Sequence, residues 1–435
     1  MIEAGHSSHR ERTRERPQSS FLTHLKTRDL IGELPIAQLR FSFVRRIALP
    51  PLSTTIVILF LFIASAFTAA TLAHFTGSDA RVAQEIALAV PTLFLAVIYA
   101  SFRWHHFLLR AAGKATSVAM GFLNFAFLAA LFCWPTAWVA TGTGLTLDRE
   151  WLAWTLLGGS QLMALYGLVN GARLHVTKYT IHLHNLPSSW QGQDVVLVSD
   201  IHVGVIRGPE FVRRIVARLR ELAPKAVFVP GDMFDGAKVD IARTVEPWTD
   251  FRPPSGTYFV TGNHDEFGDP TPYLDALTAA GVRVLDNEKI VVDGLQIVGV
   301  HNSNSHRSAT YRELLERAQI DSSQPSILLL HRPAHLEIAE KAGISLQLSG
   351  HTHAGQFPLW TFLVRQIYGR FTYGLNRLDS LQIVTSSGAG SGGPPFRVGT
   401  RSEIVVLRLE TSDAMAAGPS GALTQKRAQV ESSKA

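Results

Sequence analysis

Val195-Val-Leu-Val-Ser-Asp200-Ile-His202 sets an apolar, partly β-branched run directly before two metal-ligand side chains. The same juxtaposition recurs four times. Ala226-Val-Phe-Val229 precedes Gly231-Asp232-Met-Phe-Asp235, and Tyr258-Phe-Val260 precedes Gly262-Asn263-His264-Asp265. Ile327-Leu-Leu-Leu330 precedes His331, and Leu346-Gln-Leu-Ser349 precedes Gly350-His351-Thr-His353. Short apolar runs of this kind are expected of strands buried in a layered sheet. Each polar cluster then stands at a strand's C-terminal end, the edge where open α/β sheets place ligands, so residues far apart in the chain can converge on one cleft.

Asp and Asn oxygens mixed with several imidazoles suit divalent ions such as Mn, Fe, Zn or Co. A calcium cage would be nearly all oxygen and a structural zinc site would use thiolates, whereas Cys133 is the only cysteine. Two such ions about 3.5–4 Å apart can clamp the attacking and leaving oxygens of a phosphoryl displacement. Gly231, Gly262 and Gly350 are expected to let the backbone turn sharply before a ligand.

The ordered set D-x-H, G-D-x-x-D, G-N-H-D, a lone His and G-H-x-H resembles the signature of the calcineurin-like metallophosphoesterases, over roughly residues 178–410. The resemblance implies an α/β fold, a four-layer α/β/β/α sandwich with two mixed sheets. It implies two divalent metal ions, one held by Asp200, His202 and His353, the other by Asn263, His331 and His351, with Asp232 bridging. His264 then faces the leaving oxygen, Asp235 orients its imidazole, and a metal-bridging hydroxide attacks phosphorus. The Gly-His-Thr-His-Ala-Gly-Gln form of the last motif and the Gly388–Pro394 loop resemble the membrane-associated branch. Gly236 stands where protein Ser/Thr phosphatases carry Arg.

The N-terminal half is of another kind. No Asp, Glu, Lys or Arg occurs in Ile47–Ser78, Ile86–Phe102, Ala115–Leu147 or Trp151–Ala172. Each stretch approaches or exceeds the ~20 residues of a membrane-spanning helix. Spans are expected at about 52–73, 84–103, 116–138 and 151–171 within a transmembrane domain over 47–175. A basic, largely disordered segment (1–46) and a disordered tail (411–435) flank the two domains. Nine Lys/Arg precede the first span, Arg103, Arg110 and Lys114 follow the second, and Arg173 and Lys178 follow the fourth, against Arg81 and Arg149 on the other side. This bias predicts cytoplasmic termini and a cytoplasmic catalytic domain, in a bacterial inner membrane. The first apolar stretch starts too late for an ordinary signal peptide.

The net charge of +6 and pI of 9.5 raise nucleic acid as a partner, but much of the excess flanks the spans, where it suits anionic headgroups. Arg207, Arg213, Arg214, Arg218 and Arg220, on or beside an expected helix at 209–222, offer a basic face to a phosphorylated substrate or to the bilayer. Gln356–Phe371 is unusually apolar for a loop beside such a site. Exposed, it would dip into the bilayer and admit a lipid-linked phosphate ester; buried, it would favour a soluble-nucleotide diester. A non-catalytic sensor or scaffold is the rival from another class.

Overall fold

The computed structural model describes residues 52–104 and 106–412. The expected N-terminal basic segment, and the expected tail beyond Ser412, lie outside the described residues. Four helices come first: α1 (Leu52–Thr76), α2 (Ala80–Arg103), α3 (Phe107–Thr143) and α4 (Arg149–Ala172), all long and apolar enough to cross a membrane. The Asp79 and Asp148 carboxylates cap α2 and α4 by accepting from the Arg81 and Trp151 amides, and Gly144 ends α3 at φ 74°. At a rise of 1.5 Å per residue, α3 is about 55 Å long, nearly twice a bilayer's hydrocarbon core. A span of that length, set upright, would extend beyond that core.

The rest alternates strand and helix. The first half contains β1 (Leu174–Leu183), β2 (Asp194–Leu197), α5 (Pro209–Leu222), β3 (Ala226–Pro230), α6 (Ile241–Thr249), β4 (Thr257–Val260), α7 (Thr271–Ala279) and β5 (Arg283–Val284). There follow β6 (Lys289–Val292), β7 (Leu295–Val300), α8 (Ser308–Arg317), β8 (Ser326–Leu330), α9 (Leu336–Lys341) and β9 (Leu346–Ser349). Then come α10 (Pro358–Tyr368), β10 (Gly374–Leu378), β11 (Leu381–Thr385) and β12 (Ser402–Thr411). Two six-stranded mixed sheets result, in the orders β1-β12-β2-β3-β4-β5 and β10-β11-β9-β8-β7-β6.

Strand periodicity explains the layering. Successive side chains point to opposite faces, so Val195 and Leu197 join Ile327 and Leu329 in the core between the sheets, while Val196 faces α5 and Leu328 faces α8 and α9. A strand buried on both faces can be apolar throughout. Helix α5 covers its sheet with Phe211, Val212, Ile215, Val216 and Leu219, all buried on one stripe. The architecture is α/β/β/α, and the C-terminal ends of β2, β3, β4, β8 and β9 carry the five polar clusters.

The long helices join this body through the segment after β11. Phe396 is fully buried against Phe122 and Phe125 of α3. A Cβ on Gly121 or Gly167 would stand 2.1 Å from the Phe396 ring or 2.6 Å from Val398. The Asn170 amide of α4 donates to the Arg397 and Thr400 carbonyls, both at 2.9 Å.

Candidate metal centre

Three strand ends of one sheet and two of the other bring the seven expected ligands together. Nε2 of His202 and Nε2 of His353 are 3.0 Å apart, with Asp200 Oδ1 at 4.0 and 3.5 Å from them. In a second group, Asn263 Oδ1 lies 2.8 Å from His351 Nδ1 and 3.2 Å from His331 Nε2, and those nitrogens are 3.3 Å apart. Asp232 Oδ2 lies 3.6 Å from His202 Nε2 and 3.2 Å from His331 Nε2, so one carboxylate faces both groups.

Donors sharing an ion at 2.0–2.2 Å stand roughly 3–3.5 Å apart, which is the spacing of most of these contacts. The His331 ring is oriented for this: its Nδ1 donates to the Pro230 carbonyl at 2.9 Å, so Nε2 is the nitrogen that would face an ion. Facing lone pairs and two buried carboxylates call for cations between them. The residues fit two divalent ions.

The backbone is bent to this purpose. Asp200, His202, Asp232, His351 and His353 all have positive φ, between 50 and 70°, a region costly for non-glycine residues and concentrated at functional sites. The glycines behave differently from expectation. Only Gly231 has positive φ (88°), whereas Gly262 and Gly350 permit close approach: a Cβ there would stand 2.1 Å from Asp232 Oδ1 or Asp200 Oδ2.

Burial pushes the Asp200 carboxyl up to about 6 and holds the His202 imidazole down at about 3, beside His264. Burial opposes protonation of His331 too, but Asp232 and Asp200 overcome it and hold that imidazole up at about 9. A proton on His331 thus answers the negative charge that ions answer when bound.

Two supports lay outside the sequence-based expectations. Asp265 is buried and accepts from the amides of Asp232 (2.7 Å), Gly262 (2.8 Å) and Phe234 (2.9 Å), tying the second and third motifs together. Arg397, fully buried, donates to the carbonyls of His353 (2.7 Å), Ser387 (2.6 Å) and Gly390 (2.7 Å). The acid of the G-N-H-D motif signalled the first; nothing in the local pattern marks the second.

His264 lies beside the ligand groups, its ring 4.7 Å from that of His202 and its amide donating to Asp232 Oδ1 at 2.8 Å. One of its ring nitrogens also comes within reach of donor atoms of His202 and Asp232. The expected carboxylate-imidazole contact with Asp235 is replaced: His264 Nδ1 faces the Asp235 main-chain carbonyl at 3.4 Å, while the carboxylate accepts from the Val205 (3.0 Å) and Ala237 (2.8 Å) amides. The Asp235 carboxylate is held instead by amides of its own loop and the first-motif loop.

The arginines around α5 do not form a free basic face. Arg213 pairs with Glu210 and Glu246, Arg218 pairs with Glu221, Arg214 and Arg220 lie over the Phe211 and Phe251 rings, and Arg207 donates to the Gly171 carbonyl at 2.7 Å. Away from the ligands, His301 Nδ1 accepts from the Thr261 amide, His306 faces Asn302, and His335 packs near Tyr311.

Residues 194–355 match the family model for calcineurin-like phosphoesterases. Over 266 residues, 57% of this chain and 60% of the relative, the chain is 34% identical to a Danio rerio transmembrane protein with metallophosphoesterase domain. Identity is 31% to a Helicobacter pylori metallophosphoesterase, over 55% of this chain and 64% of that one. An Aquifex aeolicus metallophosphoesterase is 29% identical over 57% of this chain and 97% of its own length. The matched region thus spans under two thirds of the first two relatives.

Proposed function

We propose, from the premise that this chain carries a calcineurin-like metallophosphoesterase domain, that it hydrolyses a phosphodiester or pyrophosphate bond in a lipid-linked substrate at a membrane surface. The observation that carries the catalytic part is the convergence of two donor groups on the shared Asp232 carboxylate. Asp200, His202 and His353 would hold one ion, Asn263, His331 and His351 the other, and Asp232 both. Two divalent ions there supply Lewis acidity and lower the pKa of water. The protein's own groups do the rest. Asp265 and Arg397 fix the ligand loops, Asp232 Oδ1 fixes the His264 amide, and His264, partly exposed beside the ligands, delivers a proton to the leaving oxygen from Nε2.

The lipid-linked part rests on α10, which starts five residues after His353 and contains no buried residue. Its Trp360 packs on Phe60 of α1 at 5.2 Å and donates to Asn124 of α3. Leu363 and Ile367 follow at i+3 and i+7 on the same face, 41% and 72% exposed. An apolar stripe continuous with membrane-length helices suits the bilayer boundary, which disfavours the soluble-nucleotide reading. By charge bias the domain is cytoplasmic; a cysteine at Lys238, labelled in everted bacterial membrane vesicles and not in intact cells, tests this, and the reverse pattern refutes it.

Catalysis is tested with detergent-purified full-length protein, chelated and then given Mn²⁺, against a chromogenic phosphodiester and monoester, with Asn263→Ala and His264→Ala alongside. Metal-restored diester turnover, lost in both variants, is expected. Metal-dependent binding without turnover of either ester, or of lipid-linked and nucleotide diphosphates, would instead favour the sensor.

A further inference from the structure

A cavity of about 100 Å³ lies beneath α10, lined by Thr361 and Arg365 of that helix, Thr372 and Tyr373 after it, and Gly399, Thr400 and Arg401 before β12. It is separate from the ligand set, although Ala354 and Ser387 also reach its wall. Thr361 and Arg365, four residues apart, share one face of α10. The cavity holds several water volumes, room for a phosphate.

Its charge is one-sided. Neither Arg365 nor Arg401 has a side-chain hydrogen bond or ion pair among the described residues. The lining hydroxyls cannot supply the recognition, because each spends its proton elsewhere: Thr361 on the Ala354 carbonyl, Thr372 on Gly369, Thr400 on Gln356, Ser387 on Arg401, and Tyr373 on Glu403. Glu403 is fully buried behind that wall and satisfied by Thr177, Tyr373 and the Ser387 amide. The two guanidinium groups are therefore the donors left for a ligand, and guanidinium matches phosphate in geometry and charge.

Depth identifies the source. The Thr400 carbonyl accepts from Asn170, two residues before the last residue of α4, and Arg173 follows that end. The cavity mouth thus stands at the end of a membrane-length helix, and α10 in its wall is the helix that carries the exposed Leu363 and Ile367. We propose that Arg365 and Arg401 form a binding site for a phosphate group of the kind a phospholipid headgroup presents.

Thermal unfolding of full-length, detergent-purified protein tests this through ligand linkage. The probes are dihexanoyl phosphatidate, dihexanoyl phosphatidylcholine and inorganic phosphate, applied to wild type, Arg365→Gln, Arg401→Gln and Asn263→Ala. Phosphatidate is expected to raise Tm by several degrees in wild type and Asn263→Ala, and much less in both arginine variants. Arg365 is exposed, so its variant keeps the test valid if Arg401→Gln does not fold. An equal rise with inorganic phosphate, lost in Arg365→Gln, supports a site for free phosphate; a rise with phosphatidate alone supports a headgroup site. No rise in wild type, a rise retained in Arg365→Gln, or one lost only in Asn263→Ala overturns the proposal.

Discussion

Individual side chains at the candidate centre divide into those that would face the ions and those that hold the loops carrying them. Asp265 belongs to the second kind. Asp265→Asn turns an amide group toward backbone donors that now share two carboxylate oxygens, leaving a buried N–H without an acceptor. A loss of about 1–3 kcal/mol in stability is expected, with Mn²⁺ affinity falling about 10–100-fold; calorimetric titration and thermal unfolding would read both, and an unchanged Mn²⁺ affinity would exclude a supporting role. Asp235 gives a pH signature. Burial pushes its carboxyl up to about 6, against an ordinary 3.8, so the folded state holds the extra proton and the group's stabilisation is lost as pH rises from 4 through 6. In chelated protein, the stability advantage of wild type over Asp235→Asn should shrink by up to about 3 kcal/mol across that window. A constant gap would mean the carboxyl titrates normally.

Single elements show where sequence pattern reaches and where it stops. The ligand-bearing strands were legible because burial on both faces leaves a short unbroken apolar run, and α5 because its stripe has helical spacing. Asp265 and Asp235 were visible as residues, but their hydrogen-bond partners are amides of other loops, which no local pattern specifies; Arg397 lacks even a motif. The third span was read as beginning near 116 because Lys114 interrupts the uncharged stretch, whereas α3 starts at Phe107, and its added first turns reach Val205 of the two-sheet body at Gly113. The 356–371 stretch had two open readings, buried or exposed, and composition could not choose between them. Its helix exposes Leu363 and Ile367, and a charge there is costly only if lipid covers them. Leu363→Glu with Ile367→Glu should leave turnover of a soluble chromogenic diester within about twofold while lowering that of a micellar lipid diphosphate at least tenfold, on the scale of about 1.4 kcal/mol per decade. Equal effects on both substrates would remove α10 from lipid recognition.

Across the whole molecule, α3 and α4 support the candidate centre through the segment after β11. Phe396 fills the space opposite Gly121 and Gly167, Asn170 holds the Arg397 and Thr400 carbonyls, and the Arg397 side chain between them holds the His353 carbonyl. A ligand loop is therefore anchored on α4 through one segment of about ten residues. Excised at Leu174, the two-sheet body would retain both sheets and every expected ligand, but Phe357, Phe396 and Val398 would lose their packing partners in α3 and α4. The fragment should fold, since the core between its sheets contains no helix residue from the N-terminal half, and should associate through the uncovered apolar surface. Its Mn²⁺ affinity should fall by at least tenfold relative to the full chain, and Arg397→Met should cost the full chain much and the fragment little, because the anchor it serves is already lost. Matched affinities in fragment and full chain, measured by calorimetry in the same detergent, would instead make the helices an anchor to the membrane and nothing more.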